Sequence, residues 1–221
     1  MNLYLTLHYL ATSSLQLAQN RFSSSWEWYV IRAAGFVAAG LLILLMLSGI
    51  GHVTGLTYRF VSPVKAWAIH KAMGIALLAS VIVHVLFVLI DKYIPFSSSQ
   101  ALVPFQSHYN NGTTFAGMAL GGLAITFGII AAYGITLVVL SSLGWIDTKP
   151  GRWRSLHYVS YLVVVMVFLH GLYTGSDLKY GVFRSFWILA GMVLLLAIVS
   201  RVTRTARTKN NDSDNNPRIV Q

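Results

Sequence analysis

Five stretches of the chain are apolar over the width of a bilayer, and polar residues collect between them. They run over roughly 29–50, 66–90, 115–141, 154–173 and 183–201, each close to the ~20 residues that cross a hydrocarbon core. Lipid offers no partner to a backbone N–H or C=O, so each stretch is predicted to be an α-helix. The connections are short except 91–114, which carries Pro95, Pro104, a serine run and four aromatics and is expected to order against the bundle. Residues 1–28 are only mildly apolar and read as an N-terminal interfacial or loosely ordered segment. Residues 29–201 form the membrane unit. Residues 202–221 are a polar cytoplasmic tail, expected to lose order beyond about Lys209. The first basic residue is Arg21, so the basic start of a secretory signal is missing. Asn111-Gly112-Thr113 matches a glycosylation sequon, and Gly117-xxx-Gly121 is a small-xxx-small pattern read as ordinary helix packing.

Composition agrees with the pattern. The chain is 56% hydrophobic and 10% charged, against about 25% charged in a typical soluble domain. The fold class is therefore an all-α integral membrane protein, a bundle of about five transmembrane helices. A formal net charge of +10 would suggest nucleic acid in a soluble protein. Here the cations lie in short loops and the tail, so membrane lipid is the expected partner and nucleic acid is not. Cysteine is absent, which excludes disulfides, cysteine-held iron–sulfur clusters and thiolate-ligated or covalently attached haem.

The cations also orient the bundle. Arg21, Arg32, Lys92, Lys179 and Arg184 fall on the face that holds the N-terminus and the loops after spans two and four. The other eleven of the sixteen Lys and Arg fall on the opposite face. Positive loops stay inside, so the N-terminus is expected outside and the C-terminus in the cytoplasm.

Two spans carry paired histidines: His70 and His84 in span two, His157 and His170 in span four. Both spans start at the cytoplasmic face and run parallel. The spacings are fourteen and thirteen residues, about 21 and 20 Å at ~1.5 Å per residue. His70 thus shares an inner level with His157, and His84 an outer level with His170. Two bis-histidine pairs at two depths are what two stacked b-type haems require, with the four histidines binding haem iron. The angular phase is less regular. Fourteen residues return within about 40° of the same face, whereas thirteen land about 140° away, so span four needs local overwinding or a bulge. Polar groups in a membrane helix are costly and are usually placed for a reason. The competing reading is a non-redox membrane subunit, transporter or assembly protein whose histidines bond helix to helix; it predicts a colourless protein. Ligands ~20 Å apart along each helix cannot share one zinc ion. An intramembrane metalloprotease motif, HExxH, is absent, and Glu27 is the only glutamate.

Other residues have secondary roles. Arg59, Lys65, Arg152 and Arg154 lie at the cytoplasmic ends of the haem helices, where cations can pair with haem propionates. Trp67 and Trp153 precede the inner histidines by three and four residues and can pack on an inner haem. His52 and His108 are assigned to loops and read as structural, with His108 near the outer acceptor side. Asp177 is read as a solvated loop carboxylate rather than a cation ligand.

The arrangement His-x13-His in one span and His-x12-His two spans later resembles the ferric reductase-like transmembrane domain. That superfamily includes ferric reductases, NADPH oxidases and the haem-binding membrane subunit of the bacterial periplasmic methionine sulfoxide reductase system. The segment GRWRSLHYVSYLVVVMVFLHGL, 151–172, is especially similar to the last of these and to bacterial ferric reductase-like proteins, and the resemblance covers about residues 30–200. It implies that His70, His84, His157 and His170 are axial ligands of two haem b, or of one if a single pair is occupied. It implies a multi-pass protein of the bacterial cytoplasmic membrane that moves electrons from a cytoplasmic flavin donor to an extracytoplasmic acceptor: ferric iron, dioxygen or a redox protein. Two departures matter. Larger members have six spans, against five here. No FAD- or nicotinamide-binding domain or Gly-rich fingerprint follows span five. The expected donor is therefore a separate flavin/nicotinamide reductase, a quinol or a flavin bound at the cytoplasmic side.

Overall fold

The computed structural model of the chain describes residues 3–92, 94–110, 112, 114–115 and 118–215. Seven helices follow in order: α1 Leu3–Thr54, α2 Pro63–Ile90, α3 Ser98–Leu102, α4 Leu120–Gly144, α5 Pro150–His157, α6 Val159–Thr174 and α7 Val182–Asn215. Two-residue strands, β1 Thr114–Phe115 and β2 Met118–Ala119, pair antiparallel before α4. Five segments are long and apolar enough to cross a membrane: Trp26–Thr54, Pro63–Ile90, Leu120–Gly144, Pro150–Thr174 and Val182–Arg201. The protein is an all-α, multi-pass membrane bundle.

Helix ends follow local chemistry. α2 and α5 begin with proline, Pro63 and Pro150, whose missing N–H costs nothing in a first turn. α1 ends just before Gly55, whose positive φ of 75° suits a residue without Cβ. Ser97 and Gln100 close a reciprocal capping box at the start of α3. The long loop packs against α4 as expected: Thr126 Oγ accepts from the Phe105 N–H at 3.0 Å, and Tyr133 Oη donates to the Leu102 carbonyl at 2.6 Å.

Three expectations are revised. α1 starts at Leu3 and runs unbroken into span one, so of the interfacial and loosely ordered alternatives for residues 1–28 the loosely ordered one gives way to a helix. Its 52 residues extend about 78 Å, far more than the bilayer core needs. α7 likewise continues to Asn215, past Lys209. His52 belongs to the last turn of α1 rather than to a loop, because Gly49 and Gly51 continue the helix. Asn111, Thr113 and Gly117 lie outside the described residues, and with them the sequon and the small-residue pattern.

α1 packs along α2 and α4 along α6, giving two helical hairpins; α7 leans on α1 and α6. The core forms where the hairpins face each other, from Leu42, Met46, Leu77, Ala131, Ile135, Val139, Val163, Val164 and Leu194. Large apolar side chains such as Leu44, Ile82, Leu140, Leu162 and Leu196 are exposed on the outside of the bundle. In a soluble fold they would be a liability; on spanning helices they are the lipid-facing surface.

Candidate functional site

α2 and α6 are the histidine helices, with His157 closing α5. Their ring pairs face each other as the matching depths require. The His70 and His157 centroids are 6.4 Å apart, and so are those of His84 and His170. An iron between two imidazoles needs a bond of about 2 Å on each side plus about 1 Å from nitrogen to ring centre, so trans ring centroids stand about 6 Å apart. Both pairs have that separation. Leu77 lies midway between His70 and His84, and Val163 and Val164 lie between His157 and His170, so the buried core separates the two levels.

Each ring is held by the same nitrogen. His84 Nδ1 lies 2.8 Å from the Ile31 carbonyl oxygen and His170 Nδ1 lies 2.9 Å from that of Ala124. A carbonyl only accepts, so both rings carry their proton on Nδ1. At the inner level His70 Nδ1 meets Ser48 Oγ at 2.7 Å, and His157 Nδ1 meets Ser142 Oγ at 3.4 Å. Both hydroxyls also reach carbonyls, Ser48 that of Leu45 at 3.0 Å and Ser142 that of Val138 at 2.7 Å, and a hydroxyl that donates there is free to accept from the ring. With the serines accepting, all four Nε2 atoms keep a lone pair, and none has a hydrogen-bond partner among the described residues. Fixing the tautomer through the far nitrogen is how a protein prepares an imidazole to bind metal. The acceptors repeat between hairpins. α1 supplies Ile31 and Ser48 to α2's histidines, and α4 supplies Ala124 and Ser142 to the other pair.

Glycines bring the rings close to the supporting helices. A Cβ at Gly128 would stand 2.5 Å from His170 Nδ1, one at Gly35 3.3 Å from the His84 ring, and one at Gly49 3.6 Å from His70. The phase conflict in span four is eased, in part, at a break. The helix divides at Tyr158, whose carbonyl accepts from Tyr161 N–H at 3.2 Å in an i→i+3 bond. That tighter winding advances the chain by about 120° per residue instead of 100°, and it sits directly after His157.

The secondary residues divide. Trp153 lies against His157 with centroids 5.2 Å apart, and its indole N–H donates to Ser142 Oγ at 3.0 Å. Trp67 is 45% exposed and makes no ring contact with a histidine among the described residues. Arg154, Arg152, Lys65 and Arg59 are exposed at one end of the bundle. Asp177 is not simply solvated: it receives both Nε and Nη2 of Arg32, tying the α6–α7 turn to α1. Arg32 also lies 4.2 Å over the Trp28 ring. Sequence reasoning missed Ser48, Ser142, Gly35 and Gly128. Their signal, a small or hydroxyl residue at histidine depth, is visible only once the helix pairs are known. Among the described residues no three His, Cys, Asp or Glu side chains converge on one point, so the histidines stand as pairs.

Comparison with known proteins adds one match. The sequence model of the family described as ferric reductase like transmembrane component matches residues 34–169. The matched region holds both hairpins' facing helices and stops one residue before His170. No curated protein matches, and no solved structure does.

Proposed function

Because the chain belongs to the ferric reductase-like transmembrane family, we propose that it is a b-type cytochrome passing electrons across a membrane through two bis-histidine haems. The observation that carries this reading is the shared preparation of four rings: every Nδ1 is anchored, every Nε2 is left free, and both pairs are 6.4 Å apart. His70 and His157 would hold the inner haem, and His84 and His170 the outer one. A b-type haem bound at each level supplies a reversible one-electron ferric/ferrous couple.

The chain's own residues do the rest. The carbonyls of Ile31 and Ala124 and the hydroxyls of Ser48 and Ser142 orient the ligands and raise their basicity, which favours the ferric state. Leu77, Val163, Val164 and their neighbours keep water and protons out of the middle layer. Trp153 fixes Ser142 and so steadies His157. Arg154 and Trp67, at the proposed cytoplasmic end, are candidate neighbours of the inner haem's anionic edge.

The imbalance of Lys and Arg supports a cytoplasmic C-terminus and inward-facing His70 and His157. Electrons would enter at that level from a separate flavin/nicotinamide reductase, a bound flavin or a quinol. They would leave from the outer level to ferric iron, dioxygen or an extracytoplasmic redox protein. The test is the pattern of loss in single variants. His70→Ala and His157→Ala should remove the same haem, and His84→Ala and His170→Ala the other, read by pyridine haemochrome and low-spin electron paramagnetic resonance. Loss of both haems from every variant alike would overturn the pairing.

A further inference from the structure

His52 has no place in the two pairs, yet it is the most unusual histidine in the chain. It stands in the last turn of α1, one turn past Ser48 and Gly49, which touch His70. Both of its ring nitrogens are buried, and neither has a hydrogen-bond partner among the described residues. Its ring lies 5.4 Å from the His70 ring and stacks on Tyr58 at 5.6 Å, 26° from parallel. The four paired histidines contrast with it, since each anchors one nitrogen. A buried donor left unpaired is costly, and buried polar groups almost always find partners.

We propose that His52 donates a hydrogen bond to a propionate carboxylate of the haem held by His70 and His157. This rests on the two-haem reading above. The geometry selects the carboxylate over iron. His70 and His157 already face each other at the spacing one iron needs, and His52 lies beside His70 rather than across from it. Among the described residues its ring makes no contact with His157, so it is trans to neither ligand. A ring 5.4 Å from the His70 ring, on the same hairpin, would be within reach of the edge of a haem held there. His52 sits between His70 and the end of α1, so that edge faces the membrane surface and not the core. Anionic propionates turn toward the surface, because burying a charge among Leu77, Val163 and Val164 is far more costly. A carboxylate only accepts, and a neutral imidazole always has one N–H to give. Among the described residues the outer pair has no third histidine ring beside it, so His52 would make the two haems unequal.

The hydrogen bond offsets propionate charge near the inner iron. Its loss leaves more negative charge there and favours the ferric state. The experiment is redox potentiometry of the purified full-length protein with His52→Leu and His52→Gln, followed optically, with His157→Ala identifying the inner haem. In His52→Leu two haems per chain and both low-spin bis-histidine signals should remain. The inner haem's reduction equilibrium should weaken by up to about tenfold, with the outer haem unmoved. His52→Gln, which restores an N–H donor, should recover much of the shift. Unchanged potentials in His52→Leu overturn the proposal. So does loss of the inner low-spin signal in both variants, which would make His52 an iron ligand or a fold determinant. A wild-type protein without haem overturns the function itself, whereas a two-haem protein indifferent to His52 overturns this inference alone.

Discussion

An imidazole has two nitrogens, and at each of the four paired positions one is committed to the protein. The commitment is strongest where the acceptor is closest. Ser48 lies 2.7 Å from His70, but Ser142 lies 3.4 Å from His157 and is shared with Trp153. Removing a partner of this kind lowers metal affinity by about 10- to 100-fold. Ser48→Ala should therefore weaken inner-haem retention within that range and Ser142→Ala by less, measured as haem transfer to apomyoglobin. Equal rates for both variants and wild type would mean the serines do not orient the rings. The glycines give a graded series. Gly128→Ala forces His170 off its position, Gly35→Ala asks His84 to shift by tenths of an ångström, and Gly40→Ala meets nothing. Haem content should fall steeply at the outer site in the first, slightly in the second and not at all in the third. The histidines themselves were legible in the sequence, because a polar residue inside an apolar span stands out. Their acceptors were not, since two are backbone carbonyls with no side-chain signature.

The histidine helices differ in one respect. α2 is continuous from Pro63 to Ile90, and its fourteen-residue spacing returns His84 near the face of His70. The second histidine helix is split into α5 and α6 at Tyr158, and its spacing is thirteen. The conflict of phase could be read from sequence; where it would be relieved could not, because no proline or glycine marks Tyr158. The break belongs to the pairing, so inserting one alanine after Tyr158 should misalign α6 against α5 by about 100°. The insertion variant should keep its helical circular dichroism and lose one of two haems. Retention of both would show that the break is incidental. His52 shows the opposite error: the apolar stretch ends near residue 50, which places His52 in a loop, but α1 runs on to Thr54.

Five spans, an all-α bundle and two levels of facing histidines followed from hydrophobic length, parity and depth, and the family match agrees with that frame. What sequence did not reveal is contact between distant segments. Arg32 and Asp177 are separated by most of the chain, and each alone reads as an ordinary loop or helix-end charge. Together they join α1 to the turn between α6 and α7, partly buried. Asp177→Asn should lower stability by about 1 kcal/mol, read from thermal unfolding in detergent. Adding Arg32→Gln should cost little more, since the pair is already broken. Independent, additive losses would show that the two residues do not act through each other.

The most direct measurement for the whole account is the reduced-minus-oxidised visible spectrum of the detergent-purified protein, with haem counted per chain by pyridine haemochrome after expression with ample haem. Two b-type haems per chain are predicted, because both pairs share the 6.4 Å spacing and four free Nε2 atoms. A colourless protein, with four histidines and no haem, would contradict it and leave those rings as hydrogen-bonding links between helices.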